Sequence, residues 1–215
     1  MSVGEITVGD DLYRCEVIQD GFDEGLADWW EEGLGHFRWE DGHLIVDARE
    51  GGYSAFFKRP LPADLLVQFT VRTLPPNQQN NINLISHCRP QSPGQWPIVE
   101  LGRYPGYRVM PNYIVTFVGA YEREDWGREL TAGRTRLRRD PGFDLIQETH
   151  RENVFGRPYE ITFTALDGRI RYSIDGELIH DWQDPDPIPG PGYFALRTYC
   201  TVLDYSRILF ARLLL

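Results

Sequence analysis

The stretch from Tyr159 to His180 constrains the fold more than any other, because it holds three short β-forming runs separated by two Asp-Gly pairs. Tyr159, Ile161, Phe163 and Ala165 alternate with Glu160, Thr162 and Thr164, the period-two spacing of a half-buried strand. Asp167-Gly168 leads from there into residues 169–174, and Asp175-Gly176 into residues 177–180; each pair suits the left-handed backbone of a two-residue hairpin turn. Three strands joined in this way form an antiparallel meander, which needs a further layer to bury its apolar face.

Other runs supply that layer. Phe37 and Trp39 alternate with polar neighbours before Asp41-Gly42, and Leu44 and Val46 resume the pattern after it, a further Asp-Gly hairpin. Leu65, Val67, Phe69 and Val71 face one way, and Leu66, Gln68, Thr70 and Arg72 the other. Over 81–89, strict alternation puts Asn81, Asn83, His87 and Arg89 on one face with Ile85, and Ile82, Leu84 and Cys88 on the opposite one. Residues 53–58 and 113–118 read as strands, and 20–30 as a loop lying against the core. The proline-rich 184–192 segment is irregular, and strands at 193–200 and 205–213 close the chain. No long segment has helical apolar spacing, and 15 prolines with 21 glycines favour short strands and tight turns. The expectation is one all-β domain over residues 1–215, a β-sandwich of a size usual for that class.

Charge and cysteine usage exclude several functions. With 22 basic and 32 acidic residues the net charge is −10, which disfavours nucleic acid and anionic membranes as partners. No run approaches the ~20 apolar residues of a membrane span, and the start lacks a basic segment followed by an apolar one. Cys15, Cys88 and Cys200 are an odd number at wide spacing, without a CxxC pair or a zinc ligand set, and read as reduced thiols. A soluble cytoplasmic protein is expected, with homo-oligomerisation left open. Metal dependence stays open as well and no cofactor is indicated; the DxDxDG spacing of a strong calcium loop does not occur.

Candidate ligand chemistry gathers between residues 96 and 148. β-forming runs at 98–101 and 113–118 enclose a turn region, 102–111, whose glycines and prolines argue against a helix. Glu100, flanked by Trp96 and Tyr104, either bonds hydroxyls or acts as acid or base, or is a strand-edge carboxylate paired with Arg103 or Arg108. His87 and Tyr104 are further acid/base candidates, His87 reading otherwise as a groove or core histidine making one hydrogen bond, and Asn81, Asn83, Arg103, Tyr107, Arg108, Tyr113 and Trp126 supply amides, guanidinium groups and rings for binding. Arg197, alternating with Tyr193, Ala195 and Tyr199, joins them if its face lines the groove. Arg134, Arg136, Arg138 and Arg139 either recognise an acidic ligand or pair with the acids of the 121–129 run.

The DGFDEGLADWW start, the Trp-bearing Asp-Gly hairpin, the RIRYSIDGELIHDW wording and the closing GYFALR strand together resemble the concanavalin-A-like superfamily of lectins and glucanases. More narrowly, NYIVTF and TRLRRDPGFDLIQE resemble the uncharacterised bacterial YesU-like family, found among rhamnogalacturonan-utilisation proteins. The resemblance implies a jelly-roll β-sandwich of two antiparallel sheets that carries saccharide across one face. It also implies an oligosaccharide ligand, plant-cell-wall-derived and neutral or acidic. The E-x-D-x-x-E signature of the retaining glucanases is missing, since Glu100 is followed by Leu101-Gly102. Polysaccharide lyases of the fold use a Tyr or His base with Arg and Asn; His87, Tyr104, Asn81, Asn83 and Arg103 are of those types. An enzyme cleaving or modifying an oligosaccharide is the leading expectation, glycoside hydrolase or lyase, and a non-catalytic lectin-like module is the alternative.

Overall fold

A computed structural model describes residues 3–22, 25–76, 80–90, 92, 104–123 and 129–215. In chain order the strands are β1 (Val3–Val8), β2 (Asp11–Asp20), β3 (Trp29–Gly33), β4 (His36–Glu40), β5 (His43–Asp47) and β6 (Gly52–Phe57). Next come β7 (Leu65–Leu74), β8 (Asn81–Cys88), the one-turn helix α1 (Tyr104–Tyr107), β9 (Asn112–Val118), β10 (Tyr121–Arg123), β11 (Glu129–Thr131) and β12 (Arg134–Asp140). The chain ends with β13 (Asp144–Thr149), β14 (Tyr159–Leu166), β15 (Arg169–Ile174), β16 (Glu177–Gln183), β17 (Tyr193–Tyr199) and β18 (Val202–Leu214).

The described strands pair antiparallel into two principal sheets. One has nine strands, in the order β1-β2-β18-β7-β14-β15-β16 with β4 and β5 attached through β18; the other has seven, β13-β12-β9-β8-β17-β6-β3. Between them lies the main core, filled from one side by Leu65, Val67, Phe69, Val71, Ile161 and Phe163 and from the other by Ile82, Leu84, Val115, Phe117, Phe194 and Leu196. The Tyr159–His180 meander forms as read, with Asp167 and Asp175 at φ 48° and 52° and the glycines after them at 73° and 78°. Positive φ at both central residues gives each turn the twist that its flanking strands need.

Three expectations change. α1 occupies part of the region argued to exclude helix; Pro105 stands in its first turn, where a missing N–H costs nothing. Residues 3–20, read without elements, form the β1–β2 hairpin. This hairpin places Cys15 against Leu66, Leu209, Ala211 and Leu213 on the outer face of the nine-stranded sheet, and Arg171 of β15 bonds Asp11 and the Tyr13 hydroxyl. Within 20–30, β2 runs to Asp20, a 3-10 turn covers Gly25–Asp28 and β3 starts at Trp29, so the loop is only its centre. One outer face of the sandwich is thus partly covered by the chain's own N-terminal hairpin.

Candidate functional site

The outer face of the seven-stranded sheet is built from alternate residues of each strand. Register aligns Glu32, Ser54, Arg197, Asn83, Thr116, Arg136 and Glu148 in one polar line across all seven strands. On one side of it runs an apolar row, Trp30, Phe56, Ala195, Ile85 and Ile114, covered by Tyr107 and Met110. On the other side lie Tyr199, Asn81 and Arg134, and here the face opens: Tyr199 is 41% exposed.

The middle of the polar line is buried and hydrogen-bonded within itself. Arg197, Asn83 and Ser54 are at most 3% exposed. With the Asn83 amide oriented by its hydrogen-bond network, its oxygen accepts from Arg197 Nη1 at 3.0 Å, and its nitrogen donates to Thr116 Oγ1 at 3.1 Å and to Asn81 Oδ1 at 3.0 Å. The Arg197 guanidinium also lies 5.7 Å from the Tyr107 ring centre, and Ser54 Oγ is 2.8 Å from the Tyr107 hydroxyl. Buried polar groups linked in this way rigidify one another, so the Thr116 hydroxyl and the Asn81 amide are held in fixed positions at the open edge.

Local sequence explains how the covering segment is held. Asn112 starts β9 and donates from Nδ2 to the Tyr107 carbonyl at 2.9 Å and the Met110 carbonyl at 2.7 Å, clamping residues 107–110 over the apolar row. Burial pushes the Tyr107 phenol well up, so it stays protonated. Asp140, paired with Asn112, is pushed up to about 6 by burial, although its carboxylate accepts the Phe143 amide at 2.7 Å. Phe143 in turn is held between Arg108 and Arg138, whose guanidinium carbons lie 3.8 Å and 4.0 Å from its ring centre.

The arginine cluster divides between the two faces. Arg134 and Arg136 pair with Glu148 of the neighbouring strand, while Arg139 points inward to Asp184 at 2.9 Å. These recorded partners come from β13 and the proline-rich connector rather than from the 121–129 run, most of whose side chains lie outside the described residues.

His87 and Tyr113 do not share the face of Asn81 and Asn83. A bulge at His87, whose φ is 57°, inserts one extra residue opposite β17, where Tyr193 pairs with Cys88 and Ala195 with Ile85. The extra residue breaks the alternation: Cys88 joins Ile85 on the outer face, and His87 turns into the core. There it meets the Tyr113 ring edge-on at 5.3 Å, with Nδ1 2.9 Å from Ser86 Oγ and Nε2 2.9 Å from the Ala63 carbonyl. Burial lowers its pKa, leaving a neutral ring that ties β8 to residue 63. Tyr113 donates to Asp184 at 2.7 Å and accepts the Ile188 amide at 3.1 Å, anchoring the connector.

Of the other candidates, the structure brings together Asn81, Asn83, Tyr107 and Arg197, and puts Arg108 against Phe143 at the covered end of the face, away from the open edge. Trp96, Glu100, Arg103 and Trp126 lie outside the described residues, as does the side chain of Tyr104, whose backbone belongs to α1. Sequence reasoning missed Ser54 and Thr116. Their signal was only their strand parity, which acquires meaning once register sets them beside Arg197 and Asn83. Among the described residues no group of three His, Cys, Asp or Glu side chains is arranged to hold a metal ion.

The two-sheet architecture that carries this face is a concanavalin-A-like jelly-roll fold, and solved structures similar to this chain support it. A Bacillus subtilis protein of unknown function with a galectin-like fold superposes with a TM-score of 0.75 at 16% identity, covering 94% of this chain and 99% of that one. The exoplasmic/lumenal domain of VIP36, bound to Ca2+ and Man3GlcNAc, matches at 0.66 and 10% identity over 94% and 91% of the two chains. The carbohydrate-binding module CBM66 from Bacillus subtilis matches at 0.57 and 11% identity over 84% and 93%. No protein-family model and no curated protein matches the chain.

Proposed function

We propose that the protein is a lectin-like module that binds an oligosaccharide, without cleaving it, at the open edge of the seven-stranded sheet. One observation carries the reading: the buried Arg197–Asn83 pair holds Asn81 and Thr116 in place beside the exposed ring of Tyr199. A pyranose offers vicinal hydroxyls to such amides and hydroxyls and a C–H face to such a ring. Arg134 and Arg136, half-buried at the same edge, suit a uronate carboxylate, which keeps an acidic plant-cell-wall oligosaccharide within the ligand class. VIP36 with its bound mannose-containing glycan and CBM66 by its description support saccharide as the ligand.

The YesU-like kinship belongs to the same proposal; its two segments form β9 and β12–β13, three adjacent strands of the sheet that carries the site. Binding without cleavage is favoured because His87, one of three acid/base candidates from sequence together with Glu100 and Tyr104, is engaged inside the core, away from the open edge. Native mass spectrometry with neutral and acidic plant oligosaccharides tests this. The expected result is an intact complex with no product mass appearing over hours. New product mass returns the enzyme reading, and a panel with no complexes at all removes the saccharide.

A further inference from the structure

Beyond the open edge, where β8 begins and β9 ends, a cleft of about 470 Å³ lies between loops, a volume within the range of small-molecule sites. Pro75, Asn80, Ala120, Glu152, Asn153 and Phe155 line it. The loop contributing the last three is fixed at several points. The Asn153 amide donates to the Val118 carbonyl at 3.2 Å, Val154 N–H to the Tyr159 hydroxyl at 2.8 Å, and Gly156 N–H to Thr73 Oγ1 at 3.1 Å. Asn80 and Asn153 exchange hydrogen bonds, each side-chain amide donating to the other's carbonyl. Gly119 lets the chain pass close by, since a Cβ there would collide with both residues. Glu152 accepts the Ala120 amide at 3.2 Å.

Phe155 is 51% exposed despite this anchoring. A pinned loop that displays a ring and a carboxylate beside the Asn80 side chain, with Asn153 buried beneath them, has the recognition chemistry of a sugar ring, already preorganised. We propose that this cleft is a second saccharide subsite, taking one neutral pyranoside unit with its C–H face on Phe155. Neutrality follows from the lining, which contains Glu152 and, among the described residues, no Lys or Arg. Continuity follows from sequence, because Asn80 precedes Asn81 and Gly119 follows Val118, the cross-strand partner of Asn81. One oligosaccharide lying on the open edge therefore reaches the cleft. The ligand class, though not the cleft, rests on the saccharide reading of the outer face.

The test is a two-dimensional NMR titration of the isotopically labelled full chain with methyl α-mannoside, methyl β-glucoside, methyl β-galactoside and galacturonic acid. At least one neutral glycoside shifts the amides of Ala120 and residues 153–156; galacturonic acid does not. Phe155→Ala weakens those shifts at least fivefold, whereas Tyr199→Ala leaves them within twofold. Shifts confined to Asn83, Thr116 and Tyr199 overturn the subsite and leave the outer-face reading standing. Shifts confined to the cleft uphold the subsite and overturn the outer-face reading. Silence at both overturns both, and cleft shifts indifferent to Phe155→Ala overturn the subsite.

Discussion

His180 is 1% exposed against Tyr172, and among the described residues neither ring nitrogen has a hydrogen-bond partner. Burial alone pushes its pKa from 6.5 down to about 4. The unfolded chain takes up this proton as pH falls through about 6.5, the folded chain only near 4, so stability drains away across that window and levels off below it. At about 1.4 kcal/mol per pKa unit the full loss is about 3 kcal/mol. His87 is lowered in the same direction and steepens the slope. Urea unfolding of His180→Phe at pH 7 and pH 5 checks this: the variant loses less stability on acidification than the wild type. Equal losses in the two proteins, or none in the wild type, contradict the assignment. Sequence marked His180 only as the last residue of a strand run, because burial without a partner is a property of the packed core.

At the scale of elements, the bulge in β8 decides which side chains reach the outer face. Strict alternation grouped Asn81 and Asn83 correctly, and Leu65, Val67, Phe69 and Val71 equally so, because those stretches have unbroken period two. The reading failed from residue 87 onward, where one inserted residue reversed the parity, and a residue at φ 57° leaves no reliable mark in sequence. His87→Ala removes the tie to Ala63 and leaves a void beside Tyr113 and Phe163, so it should cost about 2–4 kcal/mol. Chemical denaturation measures that loss, and saccharide affinity should stay within threefold once the variant is folded. A large affinity loss with unchanged stability places His87 at the ligand instead. The Asp-Gly turns were legible because their chemistry is local; the β1–β2 hairpin was not, because its apolar partners, Leu66, Leu209 and Leu213, are distant in sequence.

For the whole molecule, the two sheets have unequal surfaces. The nine-stranded sheet carries its own N-terminal hairpin on its outer face, while the seven-stranded sheet presents a polar line with one open edge. The sandwich class was readable from turn spacing and alternation, but the site only in part: Asn83 and Arg197 stood out by residue type, whereas Ser54 and Thr116 did not, since the four come from strands that meet only in the folded sheet. In the proposed binding mode Tyr199 touches the ligand and Arg197 positions the groups that do. Isothermal titration with the oligosaccharide that binds most tightly in the mass-spectrometric panel tests this most directly, comparing wild type, Tyr199→Ala and Arg197→Ala. The account predicts at least a tenfold loss of affinity for Tyr199→Ala, about 1.4 kcal/mol, with unfolding stability unchanged. For Arg197→Ala it predicts a comparable affinity loss together with about 1.5–3 kcal/mol of lost stability. Undiminished affinity in both folded variants contradicts it and places the binding surface elsewhere.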